Sequence, residues 1–388
     1  MSRVSVIVPC YNYARFLRQC VESVLSQEGV EVRVLIIDDT SSDNTPEVGA
    51  ALAAEDSRVE YRRHEQNRGH IATYNEGLEW ATGEYTVLLS ADDLLTPGSL
   101  ARATRLMDAH TNVGFVYGAN IRLLPDQPMQ RPRTEALDCD WQVCNGLEWL
   151  EAVCRERNTF IDSPEVVVRT RMYKTLGGYR PELPHTADVE MWLRFAAHGA
   201  VGRVDADQAY YRVHGKNMHQ DLAPTALHSL KHWNAAFNMF FNNYGHRLAD
   251  CTRLHQLASS SLAIMALEAA YSRRNRRDRA VCGELVAFAV QLDPSVRSLH
   301  GKYQAGFEAN RSIAFWSTRR FAGVPAYLLR LFALDSWQCI RFCLTGNRDG
   351  AAFLFGRVRA HLGLMVRARF GKEHQRQTFP AGSTVQAR

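Results

Sequence analysis

Short β-branched runs alternate with segments of helical apolar spacing over the first 120 residues. Candidate strands lie at residues 4–8, 32–37, 59–62 and 85–89, and candidate helices at 16–25, 45–54 and 70–81. A parallel pair of strands needs a long crossover connection, so this alternation is typical of a mostly parallel sheet with helices on both faces. We therefore predict an α/β fold whose ligand lies beyond the carboxyl ends of the strands.

The remaining segments predict a second, helical region. Residues 121–145 are rich in Pro, Arg and Asp and indicate a loop, and further short elements are predicted at 146–157, 166–168, 171–176, 188–198 and 209–213. After about residue 221, helical spacing dominates, at 226–242, 254–272 and 280–291. The predicted domains are an α/β domain at 1–220, a helical domain at 221–370 and a disordered tail at 371–388.

Two acidic pairs follow predicted strands, Asp38-Asp39 after the second and Asp92-Asp93 after the fourth. The side chain of Asp38 should point to the opposite face from that of Asp39, which gives Asp38 a structural role. Clustered carboxylates need a cation or hydrogen-bond donors nearby. A few carboxylates with room for phosphate oxygens are typical of Mg²⁺ or Mn²⁺, so the pattern favours a nucleotide diphosphate ligand.

Other classes of nucleotide site lack their signatures in this chain. There is no GxxxxGK[ST] loop and no GxGxxG after the first strand, which argues against a P-loop ATPase and a dinucleotide-binding site. A nucleotidyl transferase would show a glycine-rich, basic loop at the position of Pro9-Cys10-Tyr11. The nine cysteines form no CxxC pair, which favours reduced thiols over disulfides or a zinc site.

Short motifs follow one another in a fixed order along residues 1–220. They are VSVIVPCYN at 4–12, IIDDTSSD at 36–43, NRG at 67–69, NEG at 75–77, GEY at 83–85, SADD at 90–93, GGY at 177–179, DVEMWLR at 188–194 and YRVH at 211–214. Together they resemble the family 2 glycosyltransferases. The resemblance implies a GT-A fold and an inverting transfer of a sugar from a nucleotide-diphosphate sugar, with UDP-sugars favoured, to a hydroxyl acceptor.

The resemblance also implies a donor site. Tyr11 would line the base, and Asp39 would accept a hydrogen bond from it. The other residues of this nucleotide-sugar set are Pro9, Asn12, Asn67, Gly69 and Asp92. Asp93, with His214 as a second candidate ligand, would bind Mn²⁺ or Mg²⁺ against the diphosphate; otherwise His214 is a strand-end histidine.

The acceptor side is implied by the second group of motifs. Asp188 would be the general base that takes the proton of the acceptor hydroxyl, with the N-cap of its helix as the alternative role. Glu190 and Trp192 would contact the acceptor; their alternatives are a solvent-facing acid and a core aromatic. The sequence departs from the family pattern at Ser90, at Ala187 and at Tyr74, which stands where an arginine is common.

The expected role is synthesis of a bacterial surface polysaccharide, glycolipid or glycoprotein, on a glycan, lipid-linked or protein acceptor. The alternative is a catalytically weak nucleotide-sugar binding module of the same fold. No signal peptide and no membrane-spanning run is recognisable, so we expect a cytoplasmic protein, peripheral at the inner face of the membrane.

The charge is unevenly distributed along the chain. Residues 301–388 hold 14 basic and four acidic residues, a net +10, whereas the whole chain is only +5 and residues 1–300 are therefore −5. A basic segment predicts an anionic partner. The aromatic residues and leucines at 311–370 first indicate a helical core, and the arginines among them permit an interfacial membrane helix as the alternative. No recognition motif supports nucleic acid. A second copy of the chain, as a homo-oligomer, is a further candidate partner.

Overall fold

The computed structural model describes residues 1–156, 159, 161–215, 225–271 and 278–297. Within these ranges nine strands form one mixed sheet. The strands are β1 (Ser2–Cys10), β2 (Val30–Asp38), β3 (Val59–Arg63), β4 (Tyr85–Leu88), β5 (Leu94–Leu95), β6 (Val113–Leu123), β7 (Trp141–Cys144), β8 (Val167–Arg169) and β9 (Ala200–Arg212). Their order is β3-β2-β1-β4-β8-β6-β9-β5, and β7 also pairs with β9.

Ten α-helices lie in the same described ranges. They are α1 (Ala14–Leu25), α2 (Thr45–Glu55), α3 (His70–Trp80), α4 (Ser99–Ala109), α5 (Gly146–Glu156), α6 (Thr170–Leu176), α7 (Ala187–Ala196), α8 (Ala226–Tyr244), α9 (Cys251–Ala270) and α10 (Arg279–Leu292). No helix among them is long and apolar enough to cross a membrane.

The first half of the sheet is parallel and covered on both faces. β1 pairs in parallel with β2 and with β4, and β2 with β3. Val6, Val8 and Ile36 are fully buried, as strands between two helical layers require. The carboxyl ends of β1, β2 and β4 therefore meet at one edge of the sheet.

The second half brings a distant strand to that edge. β8 runs antiparallel to both β4 and β6, and β6 runs parallel to β9. The end of β9 pairs with β5, where Leu94 faces Tyr210. Residues 212–214 thus return beside Asp92 and Asp93.

The helices after residue 225 pack on the rest of the described chain. α8 contacts α7, and α9 contacts both α8 and α5. Phe237, Phe240 and Phe241 of α8 are buried, and the Thr186 hydroxyl donates a hydrogen bond to the His232 carbonyl at 3.0 Å. Residues 1–270 and 278–296 form one compact unit. The predicted domain boundary at 220 stays a prediction, and residues 298–388 lie outside the described residues.

The alternation of strands and helices over the first 90 residues is confirmed, but the next segment differs from its prediction. Residues 121–145 are not a continuous loop, because β6 extends to Leu123 and β7 occupies Trp141–Cys144. Three of the four β7 residues are exposed, so this strand has no alternating apolar pattern to reveal it. Its antiparallel pairing with β9 supplies its structure.

Candidate active site

Asp39 fixes the loop that follows β3. Its backbone N–H donates to the Cys10 carbonyl at 2.9 Å, which joins the ends of β1 and β2. Its carboxylate accepts hydrogen bonds from the N–H groups of Arg68 at 2.7 Å and Gly69 at 2.9 Å. Gly69 has φ +78°, which glycine adopts without strain, and it begins α3. Asp39 therefore shapes the predicted nucleotide loop; its contact with a base stays a prediction.

Two side chains reinforce this arrangement. The Asn67 side-chain amide donates to the Asp39 carbonyl at 3.0 Å. The His64 ring bridges two acids, with Nδ1 2.7 Å from the Asp39 carboxylate and Nε2 3.1 Å from that of Glu76. His64 belongs to none of the sequence motifs, so its role was not predictable from them.

The turn after β1 is fastened to the loop after β2. Asn12, at φ +60°, donates its backbone N–H to the Ser41 hydroxyl at 2.9 Å, and its side-chain oxygen accepts the Ser42 N–H at 2.8 Å. This turn presents the Tyr11 side chain, which is 51% exposed. Pro9, two residues before Tyr11, pairs with Ile37 of β2. The exposed ring has the shape and access that stacking on a base requires.

Asp38 differs from Asp39 in the way that strand alternation predicts. Its carboxylate is fully buried and accepts hydrogen bonds from the Ser41 N–H at 2.8 Å and the Tyr61 hydroxyl at 2.9 Å. Asp38 holds the loop after β2 and does not face a ligand.

Asp92 and Asp93 are locked to the end of β9. The Asp93 carboxylate accepts the Arg212 backbone N–H at 2.8 Å, and the Arg212 guanidinium donates to the Asp92 carbonyl at 2.7 Å. His214 Nε2 lies 2.9 Å from the Asp92 carboxylate. His214 therefore reaches the acidic pair, and its binding of a metal stays a prediction. The role of Arg212 was missed although it lies within the YRVH motif.

The two carboxylates of the acidic pair are buried beside each other. Burial, followed by the neighbouring charge of Asp92, raises the pKa of Asp93 well above its usual value. Both carboxylates are 5% exposed. In the described ranges, no three acid, histidine or cysteine side chains converge as a complete metal site. One or two carboxylates with diphosphate oxygens and water do suit Mg²⁺ or Mn²⁺, so the residues present fit such an ion.

Asp188 is the second residue of α7, and the N-cap position belongs to Thr186. The Asp188 carboxylate accepts the Val189 N–H at 2.8 Å and lies 3.5 Å from the Ser163 hydroxyl. Burial raises its pKa above the usual aspartate value. A carboxylate that binds a proton more readily in this way is better suited to act as a base near neutral pH.

A short segment at 161–166 lies against Asp188. Ser163 has φ +72°, an uncommon conformation for a residue with a side chain. Arg122 and Asn120 of β6 hold Asp162 at 2.8 and 2.9 Å, and Glu165 accepts the Asp162 N–H at 2.6 Å. This segment belongs to none of the sequence motifs, so its position beside Asp188 was not predictable from them.

The two residues expected at the acceptor are buried. Glu190 is fully buried and forms an ion pair with Arg194 at 2.8 Å. Arg194 also donates to the carbonyls of Leu176, Gly177 and Gly178 at 2.6–2.7 Å. Neither side chain of this pair is available to an acceptor. We correct the Glu190 assignment: through Arg194, Glu190 stabilises the turn that ends α6.

Trp192 is likewise part of the core. It is 2% exposed, and its ring lies 5.3 Å from that of Phe115 and 6.2 Å from that of Phe195. An acceptor cannot stack on this ring, so the alternative, a core aromatic, replaces the acceptor assignment.

Two of the departures from the family pattern leave the backbone of the site intact. The Ser90 carbonyl accepts the Asp93 N–H at 3.0 Å, a contact that any residue at 90 could provide. Ala187 is 3% exposed at the start of α7, where a larger acidic side chain would have little room.

The sequence is similar to those of known glycosyltransferases. Residues 5–175 match the model of "Glycosyl transferase family 2". An uncharacterized protein of Mycobacterium tuberculosis is 28% identical over 216 residues, which cover 51% of this chain and 63% of that protein. The putative glycosyltransferase EpsE of Bacillus subtilis is 28% identical over 224 residues, covering 54% and 72%.

The fold also resembles solved structures. The crystal structure of S. aureus TarS 1-349 in complex with UDP-GlcNAc aligns with a TM-score of 0.54 at 15% identity, over 92% of each chain. At this identity the likeness concerns the fold alone. The mixed sheet and its flanking helices are accordingly GT-A-like.

Proposed function

Because residues 5–175 belong to glycosyltransferase family 2, we propose that this chain transfers a sugar from a nucleotide-diphosphate sugar to a hydroxyl acceptor, with inversion at the anomeric carbon. One observation carries the proposal. The buried acidic pair Asp92-Asp93 follows β4, which pairs in parallel with β1, and Arg212 and His214 hold the pair at that edge of the sheet.

The donor nucleotide occupies the edge formed by β1 and β2 in this proposal. Tyr11 stacks on the base, while Asp39 and the loop that it holds, including Asn67 and Gly69, line the opposite side. Asp92 contacts the ribose and the sugar. UDP-sugars are the favoured donors, and the TarS structure with UDP-GlcNAc is consistent with this choice as a neighbour of the same fold.

Asp93 is the proposed ligand of Mn²⁺ or Mg²⁺, and His214 is a second candidate. When bound, the ion stabilises negative charge on the departing diphosphate. Arg212 holds the Asp93 carboxylate in place through its backbone N–H. The burial of Asp93 beside a second carboxylate supports this assignment.

Asp188 supplies the base. It removes the proton of the acceptor hydroxyl as that oxygen forms a bond to the anomeric carbon, and the bond from this carbon to the diphosphate oxygen breaks on the opposite face. Attack opposite the leaving group inverts the configuration.

The first test replaces the base and leaves the donor site unchanged. Asp188→Asn is expected to lower the transfer rate by about 10²–10⁴-fold. Product formation is measured with UDP-, GDP- and dTDP-sugars and a panel of acceptors. In the wild type, kcat/KM should fall as the pH drops through the pKa of Asp188, at a higher pH than for an ordinary aspartate, because burial raises that pKa.

Asp250→Asn, at an exposed position in the helical region, is the matched control and should transfer normally. Wild-type rates in Asp188→Asn would contradict the assignment of the base. A protein that binds UDP with Mn²⁺ but gives no product with any acceptor would favour the alternative, a nucleotide-sugar binding module.

The second test removes the metal. Chelation by EDTA is expected to abolish transfer, and Mn²⁺ or Mg²⁺ should restore it. Asp93→Asn should require a higher ion concentration for half-maximal activity, because a neutral amide binds divalent cations more weakly than a carboxylate does. Full activity in EDTA would rule out the metal-dependent mechanism.

A further inference from the structure

His64 follows β3 and lies between two carboxylates. Its side chain is 7% exposed, and its Nδ1 and Nε2 atoms lie 2.7 Å from the carboxylate of Asp39 and 3.1 Å from that of Glu76. An ionised carboxylate only accepts hydrogen bonds, so each ring nitrogen acts as a donor. The His64 backbone is fixed as well, because its N–H donates to the Asp38 carbonyl at 2.9 Å and its carbonyl accepts the Thr40 hydroxyl at 3.1 Å. Ring and backbone therefore hold the Asp39 carboxylate together.

The hydrogen bonds of Asp39 leave one acceptor position open. A carboxylate has about four lone-pair positions, two on each oxygen. In the described part of the chain, Oδ1 accepts from His64 Nδ1 and from the Arg68 N–H, both at 2.7 Å, and Oδ2 accepts from the Gly69 N–H at 2.9 Å. Because both positions on Oδ1 are occupied, the open position belongs to Oδ2.

The space beside Oδ2 is open, and Asp39 lies next to the turn that presents Tyr11. The backbone N–H of Asp39 donates to the carbonyl of Cys10, the residue before Tyr11, at 2.9 Å. A Cβ atom placed on Gly69 would have no atom within 4 Å apart from its chain neighbours, so the space next to the Oδ2 contact is empty. A base that stacks on the exposed Tyr11 ring therefore has room to bring its polar edge to Asp39.

We propose that His64 is a positioning residue of the base site, which holds the Asp39 carboxylate so that a single lone pair remains for the donor base. The inference rests on the proposed function, in which the base contacts Asp39 and Tyr11. One lone pair accepts one N–H group, and uracil and thymine each present a single imide N–H. Guanine presents two N–H groups side by side, and one of them would stay unpaired, which costs free energy in a buried site. The site therefore favours UDP- and dTDP-sugars over GDP-sugars.

The first experiment examines the open lone pair with the wild-type chain alone. Calorimetric titration in Mn²⁺ compares UDP with GDP and with 3-methyl-UDP, in which a methyl group replaces the imide hydrogen. UDP should bind about 10- to 100-fold more tightly than 3-methyl-UDP, which is the effect of one hydrogen bond to a charged group. UDP should also bind about 10-fold more tightly than GDP, because guanine leaves one donor unpaired.

Two variants of His64 separate its two hydrogen bonds. An asparagine amide nitrogen lies close to the position of Nδ1 and can donate to Asp39, whereas a glutamine amide nitrogen reaches the position of Nε2 and can donate only to Glu76. His64→Gln should weaken binding of UDP by about 5- to 10-fold, the effect of one hydrogen bond, and leave binding of 3-methyl-UDP unchanged. The conservative variant His64→Asn should retain most of the UDP affinity.

The same change at an exposed histidine is the control. His246→Gln, in the helical region, should bind UDP as the wild type does. Thermal unfolding midpoints of all variants verify folding, and the comparison of ligands on the wild type decides on the lone pair even where a variant does not fold.

Three results would overturn the inference. Equal wild-type affinities for UDP and 3-methyl-UDP would exclude a contact with the imide N–H, and GDP binding as tight as UDP binding would exclude a single open lone pair. An equal loss of UDP affinity in His64→Asn and His64→Gln would give His64 a merely structural role. If UDP binds selectively but no sugar is transferred, the proposed function fails and the inference on the base stands; if no nucleoside diphosphate binds, both fail.

Discussion

Neighbouring carboxylates in this chain have different roles because their surroundings differ. Asp38 is saturated by internal donors, whereas Asp93 is buried beside another acid. Glu165 is a third case: it is 2% exposed, and burial raises its pKa to about 7. A buried acid with a raised pKa makes the free energy of unfolding depend on pH.

Glu165 should make the wild type less stable as the pH rises. Its folded pKa of about 7 exceeds the ordinary glutamate value of 4.5, so the folded state binds the proton more tightly. The resulting stabilisation is fully present below about pH 4.5 and is lost as the pH rises to 7. Glu165→Gln, a neutral isostere, is expected to raise the free energy of unfolding at pH 7.5 by up to about 3 kcal/mol.

Chemical denaturation at pH 5 and pH 7.5 checks this expectation. The two proteins should differ little at pH 5, and Glu28→Gln, on the exposed surface, should change neither value. An equal effect of Glu165→Gln at both pH values would show that Glu165 titrates in its ordinary range.

The residues of the candidate site were predictable where a motif marked them. His214 lies at the Asp92 carboxylate, and β1, β2 and β4 end at one edge of the sheet, as their parallel pairing requires. The binding roles of Asp39, Asp92, Asp93 and His214 stay predictions. Glu190 could not be judged in this way, since helical spacing alone does not reveal that Arg194, four residues later, neutralises it inside the core. His64 and Ser163 required the fold itself, because their partners are distant or depend on backbone conformation.

At the scale of elements, the Glu190–Arg194 pair links α7 to the turn that ends α6. Both side chains are fully buried, and Arg194 binds three carbonyls of that turn. Glu190→Ala leaves the guanidinium buried without its counter-charge. Removing one partner of a buried pair typically costs about 3–5 kcal/mol, and we expect that loss in the free energy of unfolding.

Urea denaturation measures this loss, with the exposed Glu47→Ala in α2 as the control. A loss below about 1 kcal/mol, the range of a surface ion pair, would contradict the buried role. Glu190→Gln keeps the hydrogen-bonding shape and should fall between the two, which separates the effect of charge from that of packing.

The helices and strands that could be predicted from the sequence are those with a clear pattern of apolar residues. β1 and β2 are apolar runs between helices and were located within a few residues. β6 was not assigned, and its last residues were predicted as loop, since the segment 119–123 is only partly buried. Its pairing with β9, more than 80 residues later, supplies the missing stabilisation.

At the scale of the whole molecule, the uneven charge suggests a second attachment besides the substrates. The described part carries the acidic site, while the +10 segment at 301–388 lies outside the described residues. We propose that this segment attaches the protein to the inner, anionic face of a membrane. Each basic residue near such a surface contributes about 1 kcal/mol, and salt screens the attraction.

Vesicle sedimentation tests this attachment. The full chain should bind phosphatidylserine-containing vesicles and not neutral phosphatidylcholine vesicles, and raising NaCl from 50 to 500 mM should release it. Changing Arg319, Arg320, Arg330 and Arg341 to Gln together should weaken binding, while the same number of changes at Arg3, Arg18, Arg33 and Arg62 should not. Equal binding to both kinds of vesicle would contradict an electrostatic attachment.

The hydrogen bonds at Asp92 and Asp93 join parts of the chain that are far apart in sequence and are therefore synthesised at different times. Asp93 and Arg212 are 119 positions apart, and Asp92 and His214 are 122. During synthesis at about 5–20 residues per second, the acidic loop therefore leaves the ribosome several seconds or more before its partners. A nascent chain that stops before β9 has the first strands of the sheet, but it lacks the hydrogen bonds that Arg212 and His214 form with Asp92 and Asp93. Nucleotide binding on stalled ribosomes should therefore begin only after residue 214 has emerged.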